Sequence, residues 1–381
     1  MALSSLFLLS AFLAFLVTPL TIVLAKRFLI LDFPWRAHPA ILHKTAIPRA
    51  GGLAIFTSIV ITYLIFVLFG GSVPLDKHIV GILIAGLLVV SVGILDDKYD
   101  LNPYLRLVTN LLAAGIVVAS GVGISWITNP FGGELRLDNL VYHFNFPGVL
   151  PFDLFAGPHS IVVLADIFAF VWIVWVMNAL NWSSGVDGQL PGIATIGLIA
   201  LGIAAQRYLS ADPTQIEPAI LAFIAAGAYA GFLVWSFYPQ KIMPGYGGAT
   251  LAGLILSSIS ILAGAKLATT GLLLIIPMVD GAWAVFRRIL GGRSPVWGDK
   301  KHLHHQLLAL GWKKWQVVLF YYALGGSVAF LALALDNRGR FFAIAVGSVI
   351  ILAGLVTLAF FVSQLNKTSS DSRPTARKTK T

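Results

Sequence analysis

The chain carries eleven separate runs of 17 to 24 predominantly apolar residues, at about 3–25, 51–70, 78–95, 106–127, 161–180, 190–208, 216–236, 249–265, 268–286, 315–335 and 341–364. A helix needs roughly 20 such residues to cross a bilayer. Repeated eleven times, the pattern predicts an all-α, polytopic membrane protein of about eleven transmembrane helices. Composition agrees, with 58% of the 381 residues hydrophobic and 11% charged. That balance excludes a disordered, collagen-like or nucleic-acid-binding chain and leaves little for a soluble domain. There are no cysteines, so disulfides and thiolate metal sites are excluded.

Orientation follows from charge. The first run has no Lys or Arg before it and Lys26 and Arg27 directly after it, the reverse of a signal peptide, so it should remain as a span. With the N-terminus outside, 20 of the 26 Lys and Arg residues fall in cytoplasmic segments, which satisfies the positive-inside rule and places the C-terminus in the cytoplasm. The net charge of +10 is then read first as topology, in a bacterial plasma (inner) membrane. Residues 1–365 form one transmembrane domain, and 366–381 a basic, disordered cytoplasmic tail. In the longest outer loop, 128–160, the alternation of Glu134–Phe146 predicts a small extracytoplasmic hairpin. No repeat period is visible, which counts against transporters built from inverted repeats.

The polar motifs all fall in segments that parity places inside, so the active site is expected at the cytoplasmic face. At the inner end of the third run, Asp96 and Asp97 are adjacent, with Asp100 one turn on and Arg106 beyond. Two neighbouring carboxylates at a membrane edge call for a shared cation. Mg²⁺ suits them, because it takes oxygen ligands and is commonly completed by substrate phosphates. An ordinary salt bridge to Lys98 or Arg106 is the simple alternative. In NALNWSSGVDGQLPG, Asn178 and Asn181 share a helical face, and Ser183 to Gly188 form a polar turn able to present N–H groups and a carboxylate to a phosphate or its metal. Lys241 precedes Gly245, Gly247 and Gly248, where glycines would let a phosphate approach the backbone. The last inner loop carries Arg287, Arg288, Arg293, Asp299, Lys300, Lys301, His302, His304 and His305. Its H-x-H-H spacing lacks the further ligands a zinc site needs, so phosphate or pyrophosphate binding is the better reading. Asp280 lies about two helical turns before Arg287, near the same face, and pairing with that arginine explains it most simply. Together these loops suggest phosphoryl chemistry on a lipid.

The order of HKTAIPRAGGLAI, GILDDKYDLNPYLRL, NALNWSSGVDGQLPG, GFLVWSFYPQKIMPGYGGA and RRILGGRSP…HLHHQLL resembles the polyprenyl-phosphate N-acetylhexosamine-1-phosphate transferases over roughly residues 30–312. The HLHH form looks closer to the branch carrying N-acetylglucosamine-1-phosphate than to the peptidoglycan branch. The resemblance implies a transfer dependent on Mg²⁺, with Mn²⁺ as the alternative. A polyprenyl-phosphate oxygen attacks the β-phosphate of a UDP-N-acetylhexosamine, leaving polyprenyl-diphosphate-sugar and UMP, the initiating step of a cell-envelope glycan. It also implies roles. Asp96, Asp97 and Asp187 would be the catalytic, metal-binding carboxylates; Arg288, His302, His304 and His305 would bind the diphosphate. Lys44 and Arg49 would add phosphate contacts, and Asn181, Ser184, Lys241, Gly245 and Tyr246 would complete the substrate site. Besides both substrates and the bilayer, a second copy of the chain is a candidate partner.

Two positions depart from the family pattern. Ser184 stands where the family has an aspartate, and Tyr246 where it has a metal-ligating aspartate. A neutral tyrosine, with an ordinary pKa near 10, is a poor Mg²⁺ ligand. An active enzyme remains the favoured reading, because clustered cations and polar groups would serve little purpose in an abandoned site. The alternative is a non-catalytic paralogue that binds a lipid phosphate or nucleotide, or a transporter.

Overall fold

Inside a bilayer each backbone N–H must be satisfied within its own segment or in a closed barrel, and the apolar runs meet that demand as helices. The computed structural model describes residues 2–35, 45–69, 76–129, 131–146, 157–264, 267–299 and 301–371. Its helices are α1 (Leu3–Arg27), α2 (Gly51–Phe69), α3 (Lys77–Tyr99), α4 (Pro103–Ala119), α5 (Val163–Trp182), α6 (Gln189–Gln206) and α7 (Ile216–Ser236). They continue as α8 (Gly245–Leu262), α9 (Leu267–Leu273), α10 (Ile275–Leu290), α11 (Leu303–Ala309), α12 (Lys314–Ala334) and α13 (Asn337–Asp371). Among the described residues, nine helices are long and apolar enough to span a membrane, and α9 with α10 makes a tenth, broken span. With the shorter α4, every expected run has a helical counterpart, and the protein is all-α and multi-pass.

Four local expectations are corrected. The ninth run is not straight: it bends by 78° between α9 and α10, where Pro277 in the first turn of α10 has no N–H to donate back to α9. The fourth run ends as a helix at Ala119, because Gly121 takes φ +99° and the chain turns into a strand, β3 (Trp126–Thr128). The single hairpin is two antiparallel pairs instead: β3 with β4 (Glu134–Arg136), and β5 (Val141–Phe146) with β6 (Gly157–Val162). Glycines 132 and 133, at φ +125° and +77°, close the first pair and pull Glu134–Arg136 backward. Lastly, α13 carries residues 366–371 of the expected disordered tail in a helix, and 372–381 lie outside the described residues. A further pair, β1 (Leu31–Asp32) with β2 (Ile47–Pro48), ties the two ends of the α1–α2 connection together.

α8 is the buried centre of the bundle, with 89% of its span window inside the protein. α1 lies against α7 at backbone distance: a Cβ on Gly227 or Gly231 would stand 2.2 Å from Phe7 O or 2.0 Å from Ala11 O. Gly-x-x-x-Gly spacing permits that approach and maximises van der Waals contact where lipid offers no hydrophobic drive. α13 is mostly exposed and covers one flank through α9 and α10.

Candidate active site

The junctions α1–α2, α3–α4, α5–α6, α7–α8 and α10–α11 meet at one end of the bundle around a polar cavity of about 580 Å³. Nine of the residues expected to act together line it: Arg49, Asp96, Asn181, Ser184, Gly245, Tyr246, His302, His304 and His305. Asp97, Asp187, Lys241 and Arg288 do not, and Lys44 lies outside the described residues.

Asp96 and Asp97 are neighbours with different fates. Both are buried at the last turn of α3, and Asp100 closes that helix in the left-handed conformation. Asp97 is wholly taken up by protein: Oδ2 accepts from Ala50 N–H (3.0 Å) and Oδ1 from Tyr246 N–H (3.1 Å), with Arg49 Nε 3.1 Å from Oδ1. Gly245 makes this possible at φ +69°, since a Cβ there would stand 2.0 Å from Asp97 Oδ2. This glycine thus admits a carboxylate as well as bordering the cavity. Asp96 Oδ1 accepts from Leu101 N–H (3.1 Å) and from Arg106 Nε (2.5 Å), and Arg106 also reaches Asp100 (2.6 Å). Asp96 Oδ2 is buried and has no hydrogen-bond partner among the described residues. Arg49 spans Asp97 and Asp32 (3.4 Å), and those carboxylates outweigh burial to keep its guanidinium above the ordinary pKa.

Tyr246 is buried, with its hydroxyl 2.8 Å from the Arg106 carbonyl and 2.7 Å from Asn110 Oδ1. Its proton is spent on α4, and the Arg106 guanidinium sits 5.9 Å over its ring. In place of a carboxylate, this position holds a tether between α8 and α4.

Outside the cavity lining, Asp187 pairs with Lys314 (2.9 Å) and accepts weakly from Gln240 N–H (3.4 Å). Lys314 was not singled out in the sequence, and 127 residues separate it from its partner. Lys241 is exposed, its ammonium 4.9 Å from the Trp235 ring. Arg288 is only 4% exposed and holds the following loop, donating to Asp299 (3.0 Å) and the Pro295 carbonyl (2.8 Å). It is a strut rather than an open phosphate clamp. Asp299 would be raised by burial, but the Lys301 N–H and Arg288 hold it below the ordinary carboxylate value. Asp280 pairs with His302 (2.9 Å), not with Arg287. His304 packs where a Cβ on Gly185 would come within 2.0 Å of its Nε2, and burial, then His305 and His302, hold its pKa well below that of a free imidazole. Asp32, Trp182 and Trp297 also line the cavity, and no sequence cue singled them out.

The expected three-carboxylate metal set is therefore not assembled. Asp97 is saturated and Asp187 is ion-paired, and among the described residues no group of three or more His, Asp or Glu is placed to hold a metal ion. One donor does fit: Asp96 Oδ2, which has no hydrogen-bond partner among the described residues. Mg²⁺ commonly takes one or two carboxylates and completes its shell with water and substrate phosphates, so a one-carboxylate site is within its habits.

A second cavity, of about 290 Å³ and almost purely apolar, lies between α4, α5 and α10 and shares Asn178, Trp182 and Val296 with the first. A multi-pass bundle with an ionisable cavity abutting an apolar one has the form of a membrane-embedded ligand site. Residues 79–264 match the model of glycosyl transferase family 4. It is 29% identical to the decaprenyl-phosphate N-acetylglucosaminephosphotransferase of Mycobacterium tuberculosis, over 83% of this chain and 79% of that protein. Its identity to the probable undecaprenyl-phosphate N-acetylglucosaminyl 1-phosphate transferase of Bacillus subtilis is 28%, over 87% and 84%. The phospho-N-acetylmuramoyl-pentapeptide-transferase of Listeria monocytogenes is 28% identical over 74% and 82%. This protein is accordingly a membrane phosphotransferase.

Proposed function

We propose that the enzyme transfers N-acetylglucosamine-1-phosphate from UDP-N-acetylglucosamine to a polyprenyl phosphate, on the cytoplasmic side of a plasma membrane, with the N-terminus outside and the C-terminus inside. The observation that carries this reading is the junction of the two cavities, which suits a phosphate head in the polar space and a prenyl chain in the apolar one. The relatives' names supply the acceptor and sugar classes.

In the step, a phosphate oxygen of the acceptor bonds to the β-phosphorus of the donor, and the bond from that phosphorus to the α–β bridging oxygen breaks. UMP leaves with the electron pair, and the sugar remains on the new diphosphate. Phosphoryl transfer is catalysed chiefly by positioning and charge neutralisation. Arg49 and Arg106 face the cavity and supply fixed positive charge to the phosphates. Ser184 and Asn181 offer neutral hydrogen bonds from the α5–α6 turn, and Trp182 and Trp297 give the site apolar walls that limit water. Mg²⁺, when bound, would neutralise diphosphate charge, held by Asp96 and the phosphates themselves.

Detergent-solubilised protein is expected to release UMP from UDP-N-acetylglucosamine only when polyprenyl phosphate and a divalent cation are present. Saturable binding of UDP without UMP under any divalent cation would replace this reading with that of a binding protein, the outcome Tyr246 makes worth testing.

A further inference from the structure

Asp280 is a carboxylate inside the apolar α10, 1% exposed, and nothing in the reaction outlined above uses it. Its Oδ1 accepts the Leu303 N–H at 3.2 Å, and its Oδ2 lies 2.9 Å from His302 Nδ1. Across the ring, His302 Nε2 is 3.4 Å from Arg288 Nη2. Arg288 in turn grips Asp299 and Pro295. The four side chains form one chain running from the buried side of α10 to the cavity loop, Asp280–His302–Arg288–Asp299.

The chemistry of the neighbours fixes the imidazole. An ionised carboxylate only accepts hydrogen bonds and a guanidinium only donates them. A ring held between them must donate from Nδ1 and accept at Nε2, which is the neutral Nδ1–H tautomer. The other charged or titratable groups facing this ring preserve that choice. Asp299 and Arg287 compensate each other at 3.9 Å, and His304, stacked at 5.9 Å, is kept neutral by burial.

We propose that Asp280 is a positioning residue of the nucleotide site: by fixing the His302 tautomer it keeps Arg288 in register, and through Arg288 it holds the segment Pro295–Asp299 against the polar cavity. Val296, Trp297, Gly298 and Asp299 of that segment form one wall of the cavity. The consequence for binding rests on the UDP-sugar reading above, whereas the tautomer does not.

The test uses the full chain labelled with ¹⁵N-histidine, in detergent, at about pH 7.5, above the ordinary imidazole pKa. Long-range ¹⁵N–¹H spectra are expected to show a buried histidine in the Nδ1–H form. In Asp280→Asn the amide can donate to Nδ1, so the ring should switch to the Nε2–H form and set two donors face to face at Arg288. UDP binding should weaken about tenfold, the scale of one lost hydrogen bond to a charged group, with KM for the donor rising more than kcat falls. Asp280→Glu should restore the Nδ1–H signal and part of the affinity. A wild-type spectrum containing no Nδ1–H histidine overturns the proposal without any variant, and so does Asp280→Asn that binds UDP as tightly as wild type. Wild-type protein that fails to bind UDP would remove the nucleotide reading, and the spectra would still decide the tautomer.

Discussion

The cavity has two walls built on different physics. On the α3–α8 side, the ion-paired Asp97 is fixed largely by backbone: two N–H groups, brought in by the residue preceding α2 and the first turn of α8, converge on it through a gap that only a glycine leaves open. On the α10–α11 side, Asp280, His302, Arg288 and Asp299 hold one another through ionisable side chains. The first arrangement depends on steric fit, and its N–H donors do not titrate. The second depends on which protons are present. A carboxylate of the first kind belongs to the scaffold, and one of the second kind can be tuned.

The sharpest way to break this contrast is Gly245→Ala. Alanine is disfavoured at φ +69°, and its Cβ would stand 2.0 Å from Asp97 Oδ2, driving the carboxylate from both N–H groups and from Arg49. A loss of about 4 kcal/mol or more is expected, at the exceptional end for a single substitution, read as failure to yield monodisperse protein or a collapse of Tm in detergent. A variant with wild-type Tm would show that the α8 turn can move, and the steric account of this wall would be wrong.

Asp97→Asn comes next. The asparagine can keep one backbone hydrogen bond but leaves Arg49 with Asp32 alone, so about 3 kcal/mol of stability should be lost, the scale for removing one partner of a buried pair. Activity should fall in step with the folded fraction. If the variant instead kept its Tm and lost UMP release, Asp97 would be a chemical group and the two walls would be alike.

How much of this was legible beforehand differs along the same line. Runs of 17 or more apolar residues announce their helices, because a bilayer allows little else, and counting runs by parity was enough to group the polar connections that meet at one end of the bundle. The fates of single carboxylates did not follow. Asp97 takes its partners from 47 and 149 residues away and Asp187 its lysine from 127, and nothing local in DDKYD or SGVDG distinguishes a metal ligand from an ion-paired strut. Asp280 misled for the same reason: helical spacing pointed to Arg287, while the bend between α9 and α10 and the turn into α11 delivered His302. Tyr246 was readable as a departure, but its use as a tether needed Asn110 and the Arg106 carbonyl in view.

The smallest expected effect probes the titratable wall directly. In the unfolded chain His304 takes up its proton near pH 6.5, whereas in the folded protein burial, then His305 and His302, hold its pKa well below that. As pH falls through 6.5 the unfolded state therefore binds more protons than the folded one, and stability declines with pH. This contribution is complete above about pH 6.5 and is lost progressively toward the depressed folded value. Tm measured from about pH 7.5 down to 5.5 should slope downward, and His304→Asn should remove part of that slope while leaving the α3–α8 wall intact. A slope identical in the two proteins would mean that His304 is not held neutral by its surroundings. The histidine wall would then be as indifferent to protons as the backbone donors that face it.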